Sequence, residues 1–213
     1  MANATAPLNR VGDLLESLED DLWGADVPEQ ERSILRAAID LFSEFGFHAA
    51  TTRQIASRVQ ISPAGVYVRF RSKKEILFAI CSAAHRVTDE LLSETLVEPR
   101  SIDGLAGAMG RFARWHAEHQ RLARVTQYEL YALDEESRLS INESRRRSQD
   151  RVKTYVKALV RDGSIELKDI RSMTRGLMSL CIDVCRWYDP SGPLRPSAIE
   201  KTYADLAGRM LRG

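Results

Sequence analysis

Apolar residues recur at three- and four-residue intervals along most of the chain. Ile34, Leu35, Ala38, Leu41, Phe42 and Phe45 fall on one face of a helix predicted over residues 28–45, ahead of Gly46, with Asp26 at capping distance before Pro28 and Glu29. Thr51 with Gln54 forms a second capping signature before Ile55, Ala56 and Val59. Ser72 with Glu75 forms a third before Ile76, Leu77, Ile80, Cys81 and Ala84. Between them Ser62-Pro63 opens a short helix, so four helices fill residues 28 to about 95.

The same period continues beyond Pro99 through Ile102, Leu105, Ala106, Met109, Phe112 and Ala113, and again through Val152, Tyr155, Val156, Leu159 and Val160 before Gly163. Helices at about 168–188 and 197–211 follow, parted by the turn Asp189-Pro190-Ser191-Gly192-Pro193. No convincing period-two strand and no repeat interrupts this pattern, which predicts an all-α chain of nine or ten helices.

Helices 52–59 and 63–70 are each too short to persist alone. Ile55, Ala56, Val59, Ile61, Val66 and Phe70 supply a seam between them, Gln60-Ile61-Ser62 is a tight connection, and Pro63 sits at the first helical position. This is the geometry of a helix-turn-helix over residues 51–70. With Val66 and Phe70 inward, the second helix presents Ala64, Gly65, Tyr67, Val68 and Arg69. Small residues at its start allow close approach to base edges in a major groove. Thr52 suits a phosphate oxygen and Arg53 a bidentate contact to guanine, while Arg69 has the reach for phosphate or guanine. Ser62 caps the second helix and completes the candidate contact set. Two surface helices with solvated charges would give the same pattern.

Charge changes the picture by its placement. Net charge is only +1, yet residues 51–75 carry six Arg or Lys and one Glu, whereas residues 1–31 carry eight acids and Arg10. In the N-terminal stretch Val11, Leu14, Leu15, Leu18 and Leu22 suit one face of a short acidic helix behind a mobile tail. It has neither the basic leader nor the apolar core of a signal peptide. Three cysteines without CxxC spacing, and the absence of a bilayer-length apolar run, point to a reduced, cytoplasmic protein without membrane contact. A 213-residue chain that is 44% hydrophobic can build a real core.

The motifs T-T-R-x-I-A, I-S-x-A-G-x-Y-x-x-F and S-K-K-E-I-L, over residues 30–80, resemble the DNA-binding region of the TetR family of bacterial transcriptional regulators. The resemblance implies a three-helix helix-turn-helix domain at 28–75, after an acidic extension at 1–27, and a helical-bundle domain at 76–213 that binds a small effector and dimerises through its last two helices. It places Thr52, Tyr67 and Lys73 where phosphates are contacted and Arg53, Ala64, Gly65 and Val68 where bases are approached. Arg69 stands where the family usually has His, a departure that leaves its target open. Operator DNA, a second copy of the chain and a small molecule are the implied partners, and effector-released repression the implied action, though activators share the fold.

In the last helix Ile199, Tyr203, Leu206 and Met210 form a stripe beside Ala204, Ala207, Gly208 and Leu211, which suits close packing in the core or across a dimer. Trp187 and Tyr188 extend that candidate interface. The stretch R-W-Y-D-P-S-G-P-L, residues 186–194, resembles TetR-type regulators of fatty-acid and steroid catabolism, which implies an acyl-CoA or lipid-like effector; an unrelated hydrophobic compound, as for efflux regulators, is the alternative. Candidate pocket walls are Phe112, Trp115, His116, Tyr128, Tyr131, Tyr155, Cys181 and Arg186, although Trp115 and the tyrosines equally suit ordinary core. His116 reads as a core histidine satisfied by a neighbour or as a ligand contact. Arg145, Arg146, Arg147, Arg151, Lys153 and Lys157 read as a solvated face or as a seat for CoA phosphates. His116 and His119 lack a third partner for a metal, Cys181 and Cys185 are badly spaced for a disulfide, and no cofactor signature appears. Without HExxH, GxSxG or a phosphate-cradling glycine loop, the sequence carries no catalytic residues and argues against an enzyme.

Overall fold

A computed structural model describes residues 22–24 and 26–213. The elements run α1 (Glu29–Ala49), α2 (Thr52–Arg58), α3 (Pro63–Tyr67), α4 (Lys73–Thr95), α5 (Ile102–Glu118), α6 (Gln120–Tyr128), a 3-10 turn (Leu130–Ala132), α7 (Glu135–Arg161), α8 (Ile170–Trp187) and α9 (Pro196–Arg212). No described residue lies in a strand, and no described helix is long and apolar enough to cross a membrane. The acidic helix expected at the N-terminus falls outside the described residues except for its last leucine. Leu22 is buried with Trp23, and Arg86 donates to the Leu22 carbonyl at 2.9 Å.

Side-chain caps start most of these helices. Ser101, Asp134 and Asp169 accept from Gly104, Ser137 and Ser172 N–H groups and so open α5, α7 and α8. Asp26 does not cap α1: Pro28 occupies the cap position and makes no side-chain bond, which leaves Asp26 too early in the chain to reach the first free amides. α1 also continues past the expected end at 45, with Gly46 at φ 79 absorbing a break that a side chain would resist.

Two apolar clusters form. One gathers Ile34, Ala38, Phe42, Ile55 and Val66 from α1–α3, with Phe70 just after, against Ile76, Ile80, Leu122 and Val125; the other gathers Leu105, Met109, Val156, Leu159, Leu177 and Leu211 from α5, α7, α8 and α9. α4 serves both, with Ile76, Leu77, Ile80 and Cys81 in the first and Leu92 in the second, so the division expected after residue 75 falls inside one continuous helix. α6 carries no clear sequence signal. It follows α5 across His119, which ends one helix and begins the next.

Candidate nucleic-acid interface and ligand cavity

The capping box that opens α2 closes in both directions. Thr51 Oγ1 accepts from the Gln54 amide at 3.2 Å and Gln54 Oε1 accepts from the Thr51 amide at 2.8 Å. At its other end the Ile61 N–H reaches back to the Ala56 carbonyl at 3.0 Å, with Gln60 between them at φ 57, a Schellman-type stop that makes the turn tight. Ser62 then caps α3, its Oγ accepting from the Gly65 amide at 3.1 Å. α3 is shorter than the predicted 63–70: it ends at Tyr67, and Arg69 and Phe70 lie in the segment that follows.

This geometry assembles one exposed face. Thr52 Oγ1 and Tyr67 OH lie 3.0 Å apart, a brace between the two short helices that spacing alone did not reveal. Arg53, Ala64 and Val68 are exposed, Val68 at 79%, and Arg53 makes no hydrogen bond or ion pair among the described residues. At Gly65 an added Cβ would meet only Ile61, at an ordinary 3.5 Å, so packing within the chain does not require glycine there. Arg69 is half-buried, with its Nε buried and without a partner. Lys73 sits differently from the phosphate role expected of it. Its ammonium donates to the Phe47 and Ala50 carbonyls at 2.5 and 2.6 Å and lies 4.3 Å from the Phe47 ring centroid, and burial pulls its pKa below the usual lysine value. Here it terminates α1.

A cavity of about 370 Å³ opens between α4, α5, α6, α7 and α8. Ala84, Phe112, Trp115, Ala123, Met178 and Ile182 make its apolar wall; His85, His116, Arg145, Arg146 and Arg175 are its basic groups, and no carboxylate of the described residues lines it. Of the expected pocket residues, Phe112, Trp115 and His116 belong to it. Tyr128 and Tyr131 are exposed at 49% and 82% because the end of α6 and the 3-10 turn run along the surface. Tyr155 is buried elsewhere, its hydroxyl accepting from the Ser101 amide at 3.0 Å. Cys181 packs in the second cluster, its Sγ donating to the Met109 carbonyl, and Arg186 is exposed and paired with Asp183 at 2.7 Å. His85 was missed, its only signal being a place one turn beyond Cys81 on the α4 stripe, and Arg145, weighed with the basic run of α7 as a seat for CoA phosphates, was not set apart from its neighbours.

The two cavity histidines, His85 and His116, are held neutral. His116 Nδ1 donates to the Phe112 carbonyl at 2.8 Å, which satisfies it, and burial pushes its pKa down to about 4. His85 Nε2 accepts from Arg145 Nε at 3.3 Å; since a guanidinium only donates, the His85 proton is on Nδ1, and burial reinforced by the Arg145 charge pushes its pKa down to about 3. Unfolding returns both to about the ordinary 6.5, so between roughly 6.5 and 4 the unfolded chain binds more protons and stability falls as pH falls. Near pH 5 His116 alone should lose about 2 kcal/mol relative to neutral pH. Urea melts at the two pH values should show this loss, and His116→Phe should flatten it; an unchanged slope would refute the assignment. Burial also raises the thiols of Cys81 and Cys181 to about 12 and that of Cys185 to about 11, which leaves all three inert near neutral pH. Among the described residues no group of three His, Cys, Asp or Glu is placed to hold a metal ion.

On the outer side of α8 and α9, Leu180, Trp187 and Leu206 are 44%, 44% and 41% exposed, with Tyr203 and Met210 half-buried beside them. Two residues expected on that face are spent inside the chain. Tyr188 is buried and its hydroxyl donates to the Leu194 carbonyl at 2.9 Å, closing the Pro/Gly turn, and Ile199 is buried in the second cluster.

The model for bacterial regulatory proteins of the tetR family matches residues 34–80, and that for the tetracyclin repressor-like C-terminal domain matches residues 98–211. A regulatory protein in the tetR family from Rhodococcus RHA1 superposes with a TM-score of 0.82 at 29% identity, over 87% of this chain and 98% of that one. The fatty acid metabolism regulator protein of Bacillus subtilis is 28% identical over 111 residues, 52% of this chain and 57% of that protein. The transcriptional regulator FadR from Bacillus subtilis, in complex with stearoyl-CoA, shares the fold with a TM-score of 0.68 at 21% identity, over 84% and 98%. The chain spans between 25% and 60% of the length of the first three curated relatives it matches.

Proposed function

Because the chain belongs to the TetR family of bacterial regulatory proteins and is a DNA-binding regulator, we propose that it is a homodimeric repressor released from its operator by an amphiphilic anion of the acyl-CoA or lipid-like class. The observation that carries the effector reading is the cavity. It joins an apolar wall to three arginines with no acidic residue among the described residues that line it, which suits an apolar body attached to negative charge. The stearoyl-CoA held by a regulator of the same fold points the same way.

On the DNA side Arg53 and the small face around Ala64 and Gly65 read bases, and Thr52 and Tyr67, already paired, hold phosphate. The exposed Leu180, Trp187 and Leu206 are covered by a second copy, which sets two recognition helices about one DNA turn apart. α4 couples the sites. It starts at the Lys73 clamp on α1 and lines the cavity with Ala84, His85 and Thr88, roughly 16–23 Å further along a single rigid helix. An effector that lowers operator affinity a hundredfold must favour the released spacing by about 2.7 kcal/mol.

Fluorescence anisotropy on genomic fragments, with and without long-chain acyl-CoAs, tests the reading. A sequence-preferring, salt-dependent complex that acyl-CoA dissolves is expected. Release by uncharged hydrophobic compounds alone would reassign the effector, and tighter binding with acyl-CoA would make the protein an activator or co-repressed regulator.

A further inference from the structure

Arg145 differs from the other arginines of α7. Arg151 is neutralised by Asp89, with contacts of 2.9 and 3.2 Å, whereas Arg146 and Arg147 are exposed to water. Arg145 is half-buried and has no carboxylate partner among the described residues. It is held instead by neutral acceptors: Nε donates to His85, and Nη2 donates to the Thr126 carbonyl at 3.1 Å and to Gln127 Oε1 at 3.2 Å. These bonds fix the guanidinium plane, and Nη1 is left with two N–H groups and no partner in the described chain. Besides His85, the ionisable groups that act on its charge are Cys81 and Tyr131, and the Cys81 thiol, raised to about 12, brings no negative charge near neutral pH. Around it the cavity offers His85 from α4, His116 from α5, Arg146 from its own helix and Arg175 from α8, all neutral or cationic.

A charge partly withdrawn from water is costly without a counter-charge, and the fold retains this half-buried one at a fixed angle beside a cavity with none among the described residues. We propose that the inner part of the cavity is a carboxylate seat in which Arg145 Nη1 donates to a ligand oxygen. The effector then carries a negative group inside the protein as well as any at the mouth. This rests on the cavity being the effector site. An ordinary acyl-CoA has converted its acid into an uncharged thioester, so the ligands that fit are a free carboxylic acid or an acyl thioester with a second carboxylate at the far end of its chain.

Two matched pairs separate these sources: hexanoate against hexanamide, and adipoyl-CoA against hexanoyl-CoA, titrated calorimetrically into the full chain. In at least one pair the member with the free carboxylate should bind about 10- to 100-fold tighter, the range of a charge-assisted hydrogen bond. Arg145→Gln should remove that preference while leaving the neutral member's affinity alone, and Arg145→Lys should keep part of it. Equal binding within both pairs, no binding by any member, or a preference that survives Arg145→Gln and disappears in Arg146→Gln or Arg175→Gln would overturn the seat. Because the wild-type comparison decides first, the inference does not depend on the variants folding. Ala123→Phe, which fills the cavity, distinguishes the two levels. Ligands that bind it unchanged are not in the cavity, and the effector reading itself fails, whereas loss of all binding with no charge preference in the wild type sinks the seat alone.

Discussion

Gly110→Ala lowers the melting temperature of this protein, although in an isolated helix the same change would raise helix stability by about 1 kcal/mol. Gly110 lies where α5 crosses α9. A Cβ there would stand 2.5 Å from the Glu200 carbonyl oxygen and 3.0 Å from Ala204 Cβ. The obstacle is backbone, which cannot rotate away, so the two helices must part and the buried contacts of Leu105, Met109, Ile199 and Leu211 loosen with them. Overpacking of this kind costs about 1–3 kcal/mol, and for a chain of this length a loss of about 2 kcal/mol lowers Tm by about 4–8 °C. Gly107→Ala is the internal control. Its Cβ would meet only the Arg111 guanidinium, at 3.6 Å, so that variant should be neutral or slightly stabilised. Equal effects in the two variants, read by differential scanning calorimetry, would show that the α5–α9 approach is not the constraint. Since α9 also carries Leu206 of the proposed dimer face, Gly110→Ala should weaken self-association as well.

The second large effect divides Arg53 from Lys73. Arg53→Ala should weaken operator binding about 10- to 100-fold, leave binding to unrelated DNA nearly unchanged, and leave Tm alone, because Arg53 is exposed and holds nothing among the described residues. Lys73→Met should do the reverse. The carbonyls of Phe47 and Ala50 lose their donor inside the first cluster, which costs about 1–3 kcal/mol, and the dependence of DNA binding on salt keeps its slope. If Lys73→Met instead melts like the parent while the slope falls by about one, the lysine touches phosphate and leaves the α1 carbonyls when DNA binds. The family pattern favours phosphate for this residue, and its present hydrogen bonds favour the clamp; the two measurements together decide.

The helix-turn-helix was legible in detail because its determinants are local. Thr51 and Gln54, Ser62 and Pro63, and Ser72 with the Glu75 amide each interact across a few residues, and the seam of Ile55, Ala56, Val66 and Phe70 follows from period alone. Asp26 misled for a local reason as well, since Pro28 took the cap position and displaced it. The cavity was legible only in part. Phe112, Trp115 and His116 share a helix face and were found together, whereas His85 and Arg145, 60 residues apart, meet only because α4 packs on α7. Tyr128 and Tyr131 look like pocket walls by residue type and are exposed by their position on the outer turn.

What the sequence determined by itself is therefore settled within about one helical turn: where the side-chain-capped helices around the short pair begin, which side of each is apolar, and which short pair is built to present an exposed basic and small-residue face. The tertiary structure alone decided which polar groups face one another. It set Lys73 on the carbonyls that end α1, made Gly110 a crossing point, buried Tyr188 and Ile199 within the chain, and left Arg145 beside a cavity with no counter-charge among the described residues. The physical reason is range. Caps and apolar periodicity act between neighbours in the chain, whereas burial, desolvation and charge pairing depend on which distant helices come to share a surface.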